Sequence, residues 1–441
     1  MTLAGTSFGF PTVDAAMDPV VAARRAIEAL RSGVPSRDAV AATGSGQVAL
    51  EDRFALLTEA AAAGRPGGLL IGGGFGSGKS HLLEHLGRLA LDAGFAVSRV
   101  VISKETPLFD PAKVFAAAVE SAVVADRPRP ALVEAAAALD VDGRPFAELL
   151  RWAATPGAEL NERFAATLVQ FARARQTDAA WANTLVRFWS GDPINAAELR
   201  RAMKQSGEVR PVLSPVSVKE LALQRWRFAP RLLAAAGSRG WVILFDEAEL
   251  IGRYSLLQRA RAYAELAQWV RGERGGPGAP LAAVLAMTDD YEAAVISGRR
   301  DGDIIPERLE AKGTPEASRT ATAAALGMRL IEREMHLLTP PDAEELRAAY
   351  DRLRALHGQV FGWNPPDVVG LERLGATRMR QYVRAWINEW DLRRLDERYR
   401  PVTEIADVPS DYREERLLEH AEGEDSAGRE ERSHQVDEPT W

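Results

Sequence analysis

The chain has 441 residues, 46% hydrophobic and 27% charged, the balance of an ordinary globular protein with room for two or three compact domains. It has no cysteine, which excludes disulfides, thiolate nucleophiles and cysteine-ligated metal sites, and no apolar run approaches the roughly 20 residues of a membrane span. The net charge of −7 is local: from Asp411 onward eleven acidic residues face four arginines, so the remainder is neutral overall and open to nucleic-acid binding.

Residues 1–20 carry Asp14 and Asp18 and no basic run before an apolar stretch, which is not the pattern of a secretory signal; the expected compartment is the cytoplasm. Residues 18–33 place Val21, Ala22, Ile27 and Leu30 at helical spacing, with Arg24, Arg25 and Arg31 between them. A Ser/Gly segment over 41–47 separates this helix from a second over 48–63. Residues 67–74 predict a short buried strand running into glycines, followed by a helix over 80–94 that Gly94 closes and a β-branched strand over 95–103. Residues 111–236 read as helical, with breaks at 126–130, 140–145 and 190–193 and no fixed repeat. That is too long for one crossover helix and predicts a helical insertion over about 125–236.

Continuous apolar runs at 241–245 and 281–287 predict strands buried on both faces, with a helix over 256–271 and a flexible link over 272–280 between them. A further strand is expected at 336–339, and helices over 342–357 and 377–399. Alternating strands and helices predict an α/β fold with a parallel sheet covered on both faces. The expected organisation is an N-terminal helical segment (1–63), a core with its insertion (64–335), a C-terminal helical lid (336–404) and an acidic tail (405–441), disordered beyond Leu418.

Gly73-Gly74-Phe75-Gly76-Ser77-Gly78-Lys79-Ser80 matches G-x-x-x-x-G-K-[ST] in full, between an apolar strand and a helix striped with Leu82, Leu83, Leu86 and Leu89. Glycines let such a loop curl its N–H groups onto phosphate oxygens, and the helix adds the positive end of its dipole. Lys79 is placed to bridge β- and γ-phosphates and the Ser80 hydroxyl to ligate Mg²⁺. The expected ligands are therefore ATP and Mg²⁺, bound by Gly73 through Ser80 and on to His81.

The strand at 241–245 ends in Asp246-Glu247. Asp246 is expected beside Mg²⁺, and Glu247 as the general base that polarises the attacking water. A helix N-cap is the structural alternative for Asp246, and the loop upstream decides for chemistry. Glu249 receives no role. His81 and His85 stand at i, i+4 without a third ligand, so no further metal site is expected. Ser103-Lys104-Glu105 follows the second strand, where strand ends line a ligand crevice. Lys104 or Glu105 either couples nucleotide state to a partner or belongs to an ordinary turn pinned by Pro107.

Three strings carry a resemblance: Ala23-Arg24-Arg25-Ala26-Ile27-Glu28-Ala29-Leu30-Arg31-Ser32-Gly33-Val34-Pro35, Val101-Ile102-Ser103-Lys104-Glu105-Thr106-Pro107-Leu108-Phe109 and Asp246-Glu247-Ala248-Glu249-Leu250-Ile251-Gly252-Arg253-Tyr254. They resemble the BREX-associated ATP-binding proteins, the BrxD-like P-loop group, over about residues 20–400. The resemblance implies an AAA+-like ATPase of bacterial phage-defence systems, acting beside a methyltransferase and other large components. In AAA+ ATPases a polar residue at the end of the strand after the acidic pair senses the γ-phosphate. That implies Thr288, with Asp289 second. A G-x-x-R helix start implies Arg378 as an arginine closing on the phosphates, with Arg380 as its rival. A trans-acting arginine finger is sought among Arg299, Arg300 and Arg308, of which Arg308 is chosen. A finger places ATP at a subunit interface and implies a homo-oligomer.

The leading functional expectation is a motor or switch ATPase acting with partner proteins on double-stranded DNA, the DNA contact resting on arginine-rich segments 224–231 and 378–400. The alternative is a slow nucleotide-gated assembly switch. A small-molecule kinase is a third reading, which the Asp-Glu pair and the long insertion count against.

Overall fold

Five short apolar segments pair side by side as one all-parallel sheet in a helix-rich α/β fold, seen in a computed structural model that describes residues 19–127, 129–205, 213–368, 379–396 and 398–399. They are β1 (Gly67–Gly72), β2 (Ala96–Val101), β3 (Trp241–Asp246), β4 (Leu281–Met287) and β5 (His336–Leu337), ordered β2-β3-β4-β1-β5. Strands buried on both faces need apolar side chains at every position, and β3 and β4 are buried throughout. Alternate residues feed two cores. Val242 and Leu244 of β3 face helices Val48–Ala62 and Lys79–Asp92, while Trp241, Ile243 and Phe245 face the helices of the insertion.

The stretch between β2 and β3 holds seven α-helices and a short 3₁₀ turn among the described residues, from Pro111–Ser121 to Val218–Ala235. Trp226 packs edge-on against Phe115 and beside Trp241, seating the insertion on the sheet. The expected break at 126–130 falls between helices, while those at 140–145 and 190–193 overlap the start of helix Arg144–Ala153 and the last residue of helix Ala179–Ser190. After β4 come a π-helical turn (Glu292–Ser297) and helices Asp301–Glu310 and Pro315–Glu334. Helix Pro19–Ser32 packs against helices Ala343–Phe361 and Met379–Leu395 through Ile27, Leu30, Tyr350, Leu353, Trp386 and Trp390. The first and last described helices thus share one core.

Two expectations need correction. The spacer read at 41–47 overlaps a short helix, Arg37–Thr43, capped by the Ser36 hydroxyl on the Ala39 N–H and anchored by buried Ala39 and Val40. Seven residues are too few to display a period. The link at 272–280 is held: the Arg231 guanidinium donates to the Gly275 carbonyl at 3.1 Å and the Pro277 carbonyl at 2.5 Å. The tail from 405 onward lies outside the described residues. Among those residues no helix is long and apolar enough to cross a membrane.

Candidate functional site

Three strand ends meet along one edge of the sheet. Gly72 closes β1 level with Met287 of β4, and Phe245 of β3 is level with Leu285. At about 3.3 Å per residue and about 4.8 Å between strands, the loop after β1, Thr288 and Asp246 start within side-chain reach of one another. β4 lies between β1 and β3, so Thr288, buried at the end of β4, stands between the loop and the acids.

The loop turns from β1 directly into helix Lys79–Asp92. Gly76 and Gly78 hold φ of +82° and +108°, which a side chain would strain. The Lys79 ammonium lies buried inside the loop and donates to the Gly73 carbonyl at 2.6 Å and the Gly74 carbonyl at 3.3 Å. The Ser77 hydroxyl is buried with no hydrogen-bond partner. Gly74 faces the Asp289 carboxylate, whose oxygens lie 3.8 Å from where a Cβ would stand. Phe75 is exposed, and Ser80 is half-buried on the first helical turn.

At the end of β3, Asp246 is buried. Its Oδ2 accepts from Arg99 Nη2 at 2.6 Å, and its Oδ1 from the Glu247 backbone N–H at 3.0 Å. Glu247 adopts a left-handed backbone, φ +57°, and opens a 3₁₀ turn, Ala248–Arg253. Desolvation beside the buried end of β3 and then the Asp246 charge raise the carboxyl of Glu247, an exposed residue, above its ordinary range. The carboxylate brought within 4.0 Å of the Lys79 ammonium is that of Glu249, to which the sequence assigned nothing. Burial lifts it to about 7 against the pull of Lys79, and its Oε2 is buried without a partner. The left-handed residue and the tight turn swing Glu249 back toward the loop, and no local pattern announces that.

Arg99 is the other residue that motif reading missed. It sits inside β2, where a lone arginine reads as a solvated strand position, yet it joins Asp246 to Glu84 (Nη1 to Oε2, 3.4 Å) across two elements.

Beside the loop lies a cavity of about 500 Å³. Ser77, Gly78, His81 and His85 line one wall, residues 43–47 and Glu51 a second, and Thr339, Arg352 and Arg380 a third. His81 Nε2 lies 2.8 Å from the Gly44 carbonyl and 3.1 Å from the Thr43 hydroxyl, and burial lowers its pKa. His81 therefore braces the cavity wall. His85 is buried, with Nε2 at 3.0 Å from Glu51.

Of the arginines expected near the phosphates, Arg378 lies outside the described residues. Its rival Arg380 meets the loop: its backbone N–H donates to the Gly76 carbonyl at 3.4 Å, and its guanidinium lies 5.9 Å over the Phe75 ring. Arg308 is exposed on helix Asp301–Glu310, and Arg300 pairs with Asp303 at 3.2 Å. The arginine-rich segment 224–231 turns inward. Arg225 donates to the Phe188 and Asp192 carbonyls, Arg227 pairs with Glu159, and Arg231 stacks on Trp152. That segment is no free basic face. Ser103, Glu105 and Thr106 close a hydrogen-bonded turn after β2, leaving Lys104 exposed on it.

Among the described residues no group of three or more His, Asp or Glu side chains could hold a metal alone. Mg²⁺ does not demand one, because it keeps waters and phosphate oxygens and takes one or two protein ligands.

No curated protein and no solved structure was found to match the chain. Residues 21–136, which carry the loop, its helix and the first two of the three strings quoted above, match the family described as BREX system ATP-binding protein BrxC/D, and over that segment the resemblance read from the sequence holds.

Proposed function

We propose that the chain binds ATP with Mg²⁺ and hydrolyses it, as an AAA+-like P-loop ATPase serving as a motor or switch in a BREX-like defence system with partner proteins. The observation that carries this reading is the convergence of Lys79, buried within its loop, with Glu249 at 4.0 Å and with the Asp246-Glu247 pair at the end of β3, across β4 and the Thr288 that follows it. In this reading the loop amides and Lys79 hold the β- and γ-phosphates, and an orphaned Ser77 hydroxyl gains an acceptor or donor there. Ser80 and Asp246 would hold Mg²⁺, which supplies charge neutralisation between the phosphates. Glu247 takes a proton from water, helped by its raised pKa. Thr288 orients that water, and the cavity beside the loop receives the nucleoside. Arg378, or its rival Arg380, which meets the loop, closes on the phosphates, and Arg308 serves a neighbouring copy.

The test pairs two variants. Lys79→Ala should abolish binding of a fluorescent ATP analogue. Glu247→Gln should keep that binding within a few-fold while slowing phosphate release about 10²-fold or more. Retained binding in the first, or unchanged turnover in the second, refutes the assignment. The slow-switch alternative predicts negligible turnover with and without double-stranded DNA. Direct DNA contact, now resting on the last helix alone, predicts binding that weakens steeply as salt rises.

A further inference from the structure

Four carboxylates gather around the end of β3: Glu84, Asp246, Glu247 and Glu249. Lys79 and Arg99 stand against them, and Arg37 and Arg253 also act on Glu84 and Glu247. Lys79 belongs to the phosphates in the reading above. Arg99 does not, and its placement has a consequence for Asp246.

Arg99 enters from β2, on the face of the sheet that also carries Val97, Val242, Leu244 and helix Lys79–Asp92. Asp246 is the next residue of that face on β3. Gly87 lets the helix lie close on Leu244, since a Cβ there would already be at 3.1 Å from its Cδ1. The Arg99 guanidinium therefore ends between Glu84, one helical turn after Ser80, and Asp246. Each oxygen of Asp246 already has a donor: Oδ1 the Glu247 N–H, Oδ2 the guanidinium at 2.6 Å. A carboxylate has about four lone-pair sites, so roughly one per oxygen is left, and part of its charge is already matched.

We propose that Arg99 is a positioning residue that competes with the divalent cation for Asp246 and so weakens metal binding. The competition follows from two cations addressing one buried carboxylate, where like charges repel strongly. It rests on the ATP–Mg²⁺ reading.

The test uses the full chain with a non-hydrolysable ATP analogue at one fixed concentration, and Mn²⁺ as a spin-detectable stand-in for Mg²⁺. Free Mn²⁺ is followed by its paramagnetic resonance signal. Arg99→Met should lower the Mn²⁺ midpoint on the order of tenfold, within the usual range of coupling between sites. Arg99→Lys, which keeps a cation there, should stay within about threefold of the parent. Adding Asp246→Asn to Arg99→Met should erase the gain. A midpoint in Arg99→Met that is unchanged or higher overturns the proposal. If Arg99→Met does not fold, Glu84→Gln combined with Arg99→Gln removes the guanidinium together with one carboxylate it neutralises, and should show the same shift. Failure of the parent to bind analogue and Mn²⁺ at all would sink the nucleotide reading itself, and this inference with it. Normal parent binding without the shift sinks only the role of Arg99.

Discussion

Glu249 shows how far a side chain can depart from its ordinary chemistry when the backbone around it is tight. Its carboxyl is raised to about 7 chiefly by burial, with Lys79 at 4.0 Å opposing the shift. The folded pKa lies above the unfolded value, so this group favours folding fully below about pH 4.5, and its contribution is lost as pH rises through about 7. Nucleotide-free protein should therefore lose on the order of 2 kcal/mol between pH 5 and pH 8 from this residue. Glu249→Gln should flatten that slope in urea titrations, and an equally steep profile in the variant would refute the account. At His81, burial moves the pKa down and the hydrogen bonds to residues 43 and 44 occupy Nε2. The residue that follows the loop motif thus braces the wall of a neighbouring cavity.

Element placement around the site depends on a few buried polar contacts. Asp301, fully buried at the start of its helix, accepts from Arg259 Nε at 2.8 Å, Arg259 Nη2 at 2.9 Å and the Tyr263 hydroxyl at 3.0 Å. Arg259 also donates to the Tyr254 carbonyl at 2.7 Å, and the Tyr263 hydroxyl meets that of Tyr291 at 3.0 Å. One cluster thus ties the turn after β3, the segment after β4 and the helix carrying Arg308. Removing one partner of a buried pair leaves an uncompensated charge, so Asp301→Asn should cost about 3–5 kcal/mol by urea denaturation. A loss below about 1 kcal/mol would show that the cluster tolerates repacking. Gly327 contributes by what it lacks. A Cβ there would strike the Tyr263 carbonyl, so its absence lets helix Pro315–Glu334 lie directly on helix Leu256–Val270.

Across the whole molecule, the packing of helix Pro19–Ser32 against Met379–Leu395 joins segments more than 300 residues apart in sequence. The cavity beside the loop lies at this union, lined by Leu30 and Gly33 from one side of the sequence and by Met379, Arg380 and Val383 from the other. Ile27 is fully buried in the shared core. Ile27→Ala should cost about 2–5 kcal/mol. It should also weaken binding of a fluorescent ATP analogue, because the walls of the cavity would separate more easily. Unchanged analogue affinity in a measurably destabilised variant would show that the cavity is not part of the nucleotide site.

The chain's own order of residues determined the parts whose chemistry is contiguous: the eight-residue loop, the apolar strand ending in Asp246-Glu247, the strand ending at Met287 and the helical character of the insertion. Each is written in neighbouring residues, through glycine conformations, burial on both faces or helical period. Only tertiary structure decided which groups meet them. Arg99 reaches Asp246 because β2 lies beside β3, Glu249 reaches Lys79 because Glu247 turns left-handed, and Arg380 reaches the loop because the first and last described helices share a core. The inward turn of segment 224–231 belongs with these, since an arginine's partner depends on what packs against its helix. Those contacts join residues tens to hundreds of positions apart, or depend on one backbone angle, and no local spacing encodes either.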